Sequence, residues 1–156
     1  MRGLGGRTAV HVHRIAAAAA GAGAGARAPG RRVASFAVPP RRRTDPDAGR
    51  AAVDRVLAAE QPTPADLKVA TRFLLEELAS RAPGRTVEVR VPPYGAVQAV
   101  EGPRHTRGTP PNVVETDART WVALATGRLA WADAVAGGAV SASGERSDLG
   151  AYLPLL

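Results

Sequence analysis

Arg104, His105 and Arg107 are the residues whose types and spacing come nearest to a reactive site. His105 is the sole histidine after residue 45, and two arginines beside it suit a general base acting on a substrate that the arginines hold. A catalytic set also needs a nucleophile or an orienting partner, and no motif marks a serine or aspartate for that role. We therefore predict no catalytic residue. A small isomerase- or hydrolase-like enzyme using His105 and Arg107 stays as the alternative.

A binding role suits the same three residues. At the mouth of an apolar pocket, these polar side chains would bind the carboxylate or head group of a lipid, the two arginines through charge-assisted hydrogen bonds. An equally good interpretation is a polar loop whose arginines pair with Glu101 and Glu115. We predict no metal and no cofactor, because the chain has no cysteine and the pair His11 and His13 lacks a third ligand.

The positive charge is confined to one end of the chain. The formal net charge of +7 divides into ten Arg and two Asp in residues 1–50, against ten Arg, one Lys and twelve acids in residues 51–156. The later residues are therefore close to neutral and offer little counterion release on binding phosphates. We predict no specific nucleic-acid partner, and aromatic residues at 4% argue against a stacking platform for single strands.

Residues 1–40 are predicted to form a disordered basic tail. The first 34 residues contain 11 Ala and 7 Gly, which bury too little apolar area to build a core. A secretory signal, an organellar transit peptide and an over-extended gene start, with translation beginning near Val38, are the alternatives. No apolar run reaches the length of a membrane span, so we expect no transmembrane segment and a cytoplasmic protein. The sequence does not indicate the oligomeric state.

Residues 41–156 are predicted to fold as one domain of the α+β class. Asp45-Pro46 and Thr63-Pro64 carry the cap and first-turn residues that begin helices, and Val87, Val89 and Val91 alternate with polar residues as in a half-buried strand. The predicted order is helix, helix, strand, strand, strand, helix, helix, strand, helix. The final helix is expected to begin at Ser147 and end at Pro154. Strands and helices are segregated more than they alternate, which favours α+β.

The second half of the chain resembles the sterol carrier protein family (type 2). The residues that carry the resemblance are Thr116-Asp117, Trp121, Leu124-Ala125-Thr126-Gly127, Trp131, Ala134, Gly138, Val140, Ser143-Gly144 and Asp148-Leu149. The string VEVRVPPYGAVQAVEGPRHTRGTPPNVVETD is similar to the actinobacterial branch of bacterial sterol-carrier orthologues.

The resemblance implies a twisted, mostly antiparallel sheet covered on one face by helices, with an apolar tunnel between them. It also implies a non-enzymatic lipid-binding carrier that holds an acyl chain or similar apolar ligand. The residues expected to contact that ligand are Val113, Trp121, Leu124, Val135, Val140, Leu149, Leu153, Arg104, His105 and Arg107. A structural partner domain with a filled core is a third hypothesis, because protein interiors are normally close-packed.

Overall fold

A computed structural model of the protein describes residues 43–102 and 112–156, which all belong to one compact unit, Ser35–Leu156. The predicted tail, residues 1–40, lies outside the described residues. The elements are α1 (Pro46–Ala58), α2 (Pro64–Arg81), β1 (Val87–Val91), β2 (Gly95–Ala99), β3 (Asn112–Thr116), α3 (Ala118–Ala125), α4 (Trp131–Ala136), β4 (Val140–Ser143) and the 3-10 turn η1 (Gly150–Tyr152). This order confirms the α+β class. None of the described helices combines the length and the apolar character needed to cross a membrane.

The first two helices begin where their local sequence predicts. The Asp45 carboxylate accepts a hydrogen bond from the Ala48 N–H, and the Thr63 hydroxyl accepts one from the Asp66 N–H. Proline follows each cap at the first helical position, where its missing N–H is not needed. Both helix starts are therefore determined by residues within one turn of the cap.

The four strands form one mixed sheet in the order β2-β1-β3-β4. The outer pairs, β1 with β2 and β3 with β4, are antiparallel, whereas the central pair, β1 with β3, is parallel. Val87, Val89 and Val91 are fully buried, while Glu88 and Arg90 on the opposite face are partly exposed. The helices therefore cover one face of the sheet, as the resemblance implies.

The core lies between that face and α2. Phe73, Leu74, Leu75 and Leu78 are all buried on α2, and Trp121 and Leu124 bring α3 into the same cluster. The last residues of the chain close the cluster, since Leu155 is buried and its N–H donates to the carbonyl oxygen of Ala125 at 2.7 Å. No pattern in the sequence marks Leu155 as a core residue.

The predicted final helix is wrong. Ser147 does not cap it; its hydroxyl donates to the Gly144 carbonyl, and only the single 3-10 turn η1 follows. The chain then becomes extended at Leu153, which lets Leu155 reach the core. The packing of this apolar side chain against α3 decides the local conformation over helix propensity.

Gly49 allows α1 and α2 to approach closely, and Gly49→Ala is expected to lower the free energy of unfolding by about 1–2 kcal/mol. An added Cβ would lie 2.4 Å from the Phe73 ring and 2.8 Å from the Phe73 Cβ, so the two helices must separate. A contact this short places the overpacking cost in the upper part of its usual range, about 2–3 kcal/mol, and the better helix propensity of alanine offsets about 1 kcal/mol of that.

Urea unfolding of the single variants and the Gly49→Ala/Phe73→Leu double variant checks this prediction. We expect the double variant to lose less stability than the sum of the two single losses, since the smaller side chain relieves the contact. Strict additivity would contradict a direct clash between residues 49 and 73.

Candidate functional site

A cleft of about 670 Å³ lies between α2 and the edge strand β2. Its apolar floor consists of Leu75, Ala79, Gly95 and Val97, and its polar rim consists of Arg43, Thr44, Arg72, Glu76 and Tyr94. Ligand sites in proteins typically enclose about 300–1,000 Å³ and combine apolar walls with a few polar groups. The cleft therefore has the size of a small-molecule site, with a lining that is nearly as polar as it is apolar and in which Leu75 and Ala79 are almost fully buried.

Periodicity explains which residues of α2 share the face that lines the cleft. The α2 residues 72, 75, 76 and 79 are spaced i, i+3, i+4 and i+7, so they lie along one stripe of the helix. Ala96 lines the cleft together with its strand neighbours Gly95 and Val97. Successive strand residues point to opposite faces, so the cleft follows the outer edge of β2 as well as the face toward α2.

Hydrogen bonds hold the polar rim in place. The Arg72 Nε donates to the carbonyl oxygen of Tyr94 at 3.0 Å, which joins α2 to the start of β2. The Glu76 carboxylate accepts from the backbone N–H groups of Arg43 and Thr44, at 3.1 and 3.0 Å, and from the Thr44 hydroxyl. Arg72 and Glu76 are four residues apart on α2, a spacing that suits an ion pair, but Arg72 bonds to Tyr94 and Glu76 bonds to Arg43 and Thr44.

Most of the apolar residues predicted to contact ligand lie in the packed core. Trp121, Leu124, Val140 and Leu149 are buried in the hydrophobic cluster, and Leu153 is partly buried against it. None of these side chains lines the cleft between α2 and β2. Their contact with a ligand stays a prediction.

Val113 and Val135, two more of the predicted ligand contacts, lie outside the packed core, and their contact with a ligand stays a prediction. Val113 is paired with Glu88, on the sheet face that points away from the helices, whereas its neighbour Val114 is the core residue. Val135 is 40% exposed on α4. A pair of consecutive valines does not reveal which one faces the core. The predicted cationic group of Arg104, His105 and Arg107 lies outside the described residues.

Sequence reasoning missed the cleft residues. Arg72 and Glu76 resemble ordinary helix-surface charges, and Val97 resembles an ordinary residue of a hairpin. One feature of the sequence could have revealed them, namely the stripe on α2 in which Leu75 and Ala79 alternate with the charged residues Arg72 and Glu76. An arginine and a glutamate within an otherwise buried stripe indicate a boundary where the helix overhangs the edge of the sheet.

Asp117 caps the start of α3, the helix that packs against α2. Its carboxylate lies at the start of α3 and accepts hydrogen bonds from the Arg119 and Thr120 N–H groups and the Thr120 hydroxyl. Partial burial raises the pKa of Asp117, but the hydrogen bonds from Thr120 and Arg119 outweigh it and hold the pKa below the ordinary value of 3.8. The charged form therefore stabilises the folded state.

We expect Asp117→Ala to lower the free energy of unfolding at pH 7 by about 1 kcal/mol, the usual cost of losing a helix cap. Because the folded-state pKa is depressed, the stabilisation is present above the unfolded pKa and disappears as the pH falls through the folded pKa. The stability difference between the wild type and Asp117→Asn should therefore shrink between about pH 5 and pH 2. Urea unfolding at several pH values measures this stability difference, with Asp54→Asn on α1 as the control. A difference that stays constant over that range would contradict the assigned role of the charge.

Comparison with known families places the chain. A family model described as "Bacterial SCP ortholog" matches residues 64–155, from the first residue of α2 almost to the end of the chain. This match covers more than half of the chain and confirms the resemblance to bacterial sterol carrier proteins. The protein belongs to the bacterial SCP ortholog family. No curated protein is similar enough to the chain to count as a match.

Proposed function

We propose that the protein is a non-enzymatic lipid carrier that holds an acyl chain or similar apolar ligand on the floor of the cleft between α2 and β2. The observation that carries this proposal is the apolar floor of Leu75, Ala79 and Val97 beneath a polar rim, in a member of a sterol carrier family. Each Å² of hydrocarbon surface that such a floor removes from water stabilises the complex by about 25 cal/mol. A cytoplasmic location is part of the same proposal.

The cleft floor can be tested with a matched pair of valines. Val97 and Val113 are both partly buried on the sheet, but Val97 lines the cleft whereas Val113 lies on the opposite face. We expect Val97→Asp to weaken the binding of palmitate at least about tenfold, because a carboxylate then replaces apolar wall. Val113→Asp should leave palmitate binding within about twofold. Native mass spectrometry and titration with the full chain measure both, and circular dichroism checks the fold.

Hydrogen exchange of the unmodified chain gives a second, independent readout. Palmitate in the cleft should slow exchange in residues 72–79 and 94–99. Slower exchange in residues 118–125 and 148–155 alone would instead support the ligand wall predicted from the sequence. No binding of palmitate, and no lipid in the freshly purified protein, would overturn the proposed function in favour of a structural domain with a filled core.

A further inference from the structure

The free edge of β2 has the features of a second kind of binding surface. Because β2 is the terminal strand of the sheet, no other strand of the described residues pairs with its outer side. The outer edge of a terminal strand presents N–H and C=O groups that can pair with another chain, and natural edge strands usually carry charges or prolines that prevent it. Residues 95–99 contain neither a charged residue nor a proline. Ala99 is fully buried, so the accessible part of the edge is residues 95–98.

The helix α2 runs beside this edge and converts it into a groove. Near the start of β2, the Arg72 side chain donates a hydrogen bond to the Tyr94 carbonyl oxygen. At the other end, Val100 follows β2 and Ala82 follows α2, and the Val100 N–H donates to the Ala82 carbonyl oxygen at 2.7 Å. The helix and the strand therefore run in the same direction along the groove. An extended peptide beside β2 would place alternate side chains on Leu75, Ala79 and Val97.

Charge determines the direction in which such a peptide would lie. Among the residues that the structure describes, no carboxylate lies within 4 Å of the Arg72 guanidinium, since Glu76 is directed to the backbone of Arg43 and Thr44. A strand added antiparallel to β2 would end beside Tyr94, so its terminal carboxylate would lie next to Arg72. A parallel strand would bring its ammonium group there and be repelled.

We infer that the groove between α2 and β2 docks the C-terminal end of an extended partner peptide, which pairs with β2 in antiparallel orientation and places its carboxylate at Arg72. Addition of a strand to an exposed sheet edge is a known mode of peptide recognition, in which backbone hydrogen bonds supply affinity and side-chain pockets supply specificity. Residues 153–156 of a second copy are a poor occupant, because Leu155 is buried and its N–H donates a hydrogen bond to the Ala125 carbonyl oxygen.

The test uses a pool of hexapeptides with free C-terminal carboxylates, in which threonine alternates with valine, isoleucine, leucine or phenylalanine. We expect saturable binding to the full chain, with slower amide exchange in residues 94–99. Two peptide series carry N-methyl groups on alternate amides, one on the odd-numbered and one on the even-numbered residues. We expect one series to lose binding and the other to retain it, because alternate amides of an added edge strand point away from β2.

A thermodynamic cycle tests the carboxylate. Amidating the C-terminus of a bound peptide should weaken binding to the wild type about tenfold. Arg72→Gln loses its hydrogen bond to Tyr94 with either peptide, so it should weaken binding of the free acid about tenfold more than binding of the amide. Arg50→Gln, an exposed arginine on α1, is the control and should change neither. Absence of peptide binding, equal effects of both N-methyl series, or a full amidation effect in Arg72→Gln would each overturn the inference.

The outcome is independent of the proposed lipid function. Palmitate has no amide groups, so it cannot produce the N-methylation pattern, and its binding is measured separately with Val97→Asp. If palmitate binds and the peptides do not, the carrier proposal stands and the docking inference fails. If the peptides bind and palmitate does not, the reverse holds. If both bind, the shared floor predicts that saturating palmitate displaces the peptide.

Discussion

Replacing Gly84 with alanine is expected to lower the free energy of unfolding by about 3 kcal/mol or more, at the upper end of the usual cost of overpacking. An added Cβ would lie 2.0 Å from the Val100 carbonyl oxygen and 2.1 Å from its carbonyl carbon. These are backbone atoms, so no side-chain rotation relieves the contact. The chain segments at residues 84 and 100 must separate.

The surrounding hydrogen bonds make that separation costly. The Val100 N–H donates to Ala82, and its carbonyl oxygen accepts from the Thr86 N–H at 3.1 Å. Val100 itself has a φ of 67°, an unfavourable value for a β-branched residue that only a strongly constrained segment maintains. Moving residue 84 away would break the connection between the end of α2 and the end of β2.

Urea unfolding with Gly95→Ala as the control measures the effect. An added Cβ at Gly95 would meet only the end of the Leu75 side chain, at 3.3 Å, so we expect a change below about 1 kcal/mol. If Gly84→Ala is as stable as Gly95→Ala, the backbone at residue 84 does not lie as close to the backbone at residue 100 as the structure shows.

Leu155→Ala is the second substitution with a large expected effect, a loss of about 2–5 kcal/mol. The side chain is 1% exposed in the hydrophobic cluster, so its truncation leaves a cavity where α3 meets the end of the chain. Leu156 is its matched control, because it is the adjacent leucine and is 43% exposed. Leu156→Ala should cost less than about 0.5 kcal/mol.

Thermal and urea unfolding of the two leucine variants distinguish a docked terminus from a frayed one. Similar small losses for both would show that the terminus does not contribute to the core. A large loss for Leu155→Ala alone would support the extended segment that the structure shows in place of the predicted helix.

Several features of the protein follow from its sequence alone. The caps at Asp45, Thr63 and Asp117 are local, since each side chain bonds to N–H groups two or three residues ahead, and the two helix starts predicted at Asp45 and Thr63 are confirmed. The alternation of valines in β1 likewise needs only the period of a strand, and the resemblance to sterol carriers rests on residues that can be read directly.

The tertiary structure alone decided which residues meet across the chain. The parallel pairing of β1 with β3, the choice of Val114 over Val113 for the core, and the burial of Leu155 against Ala125 each join segments far apart in the sequence. The cleft has the same origin: Arg72 and Val97 acquire their place only when α2 lies along the edge of β2. Local patterns determine elements because their hydrogen bonds close within a few residues, whereas sites depend on the packing of distant elements, which no local pattern encodes.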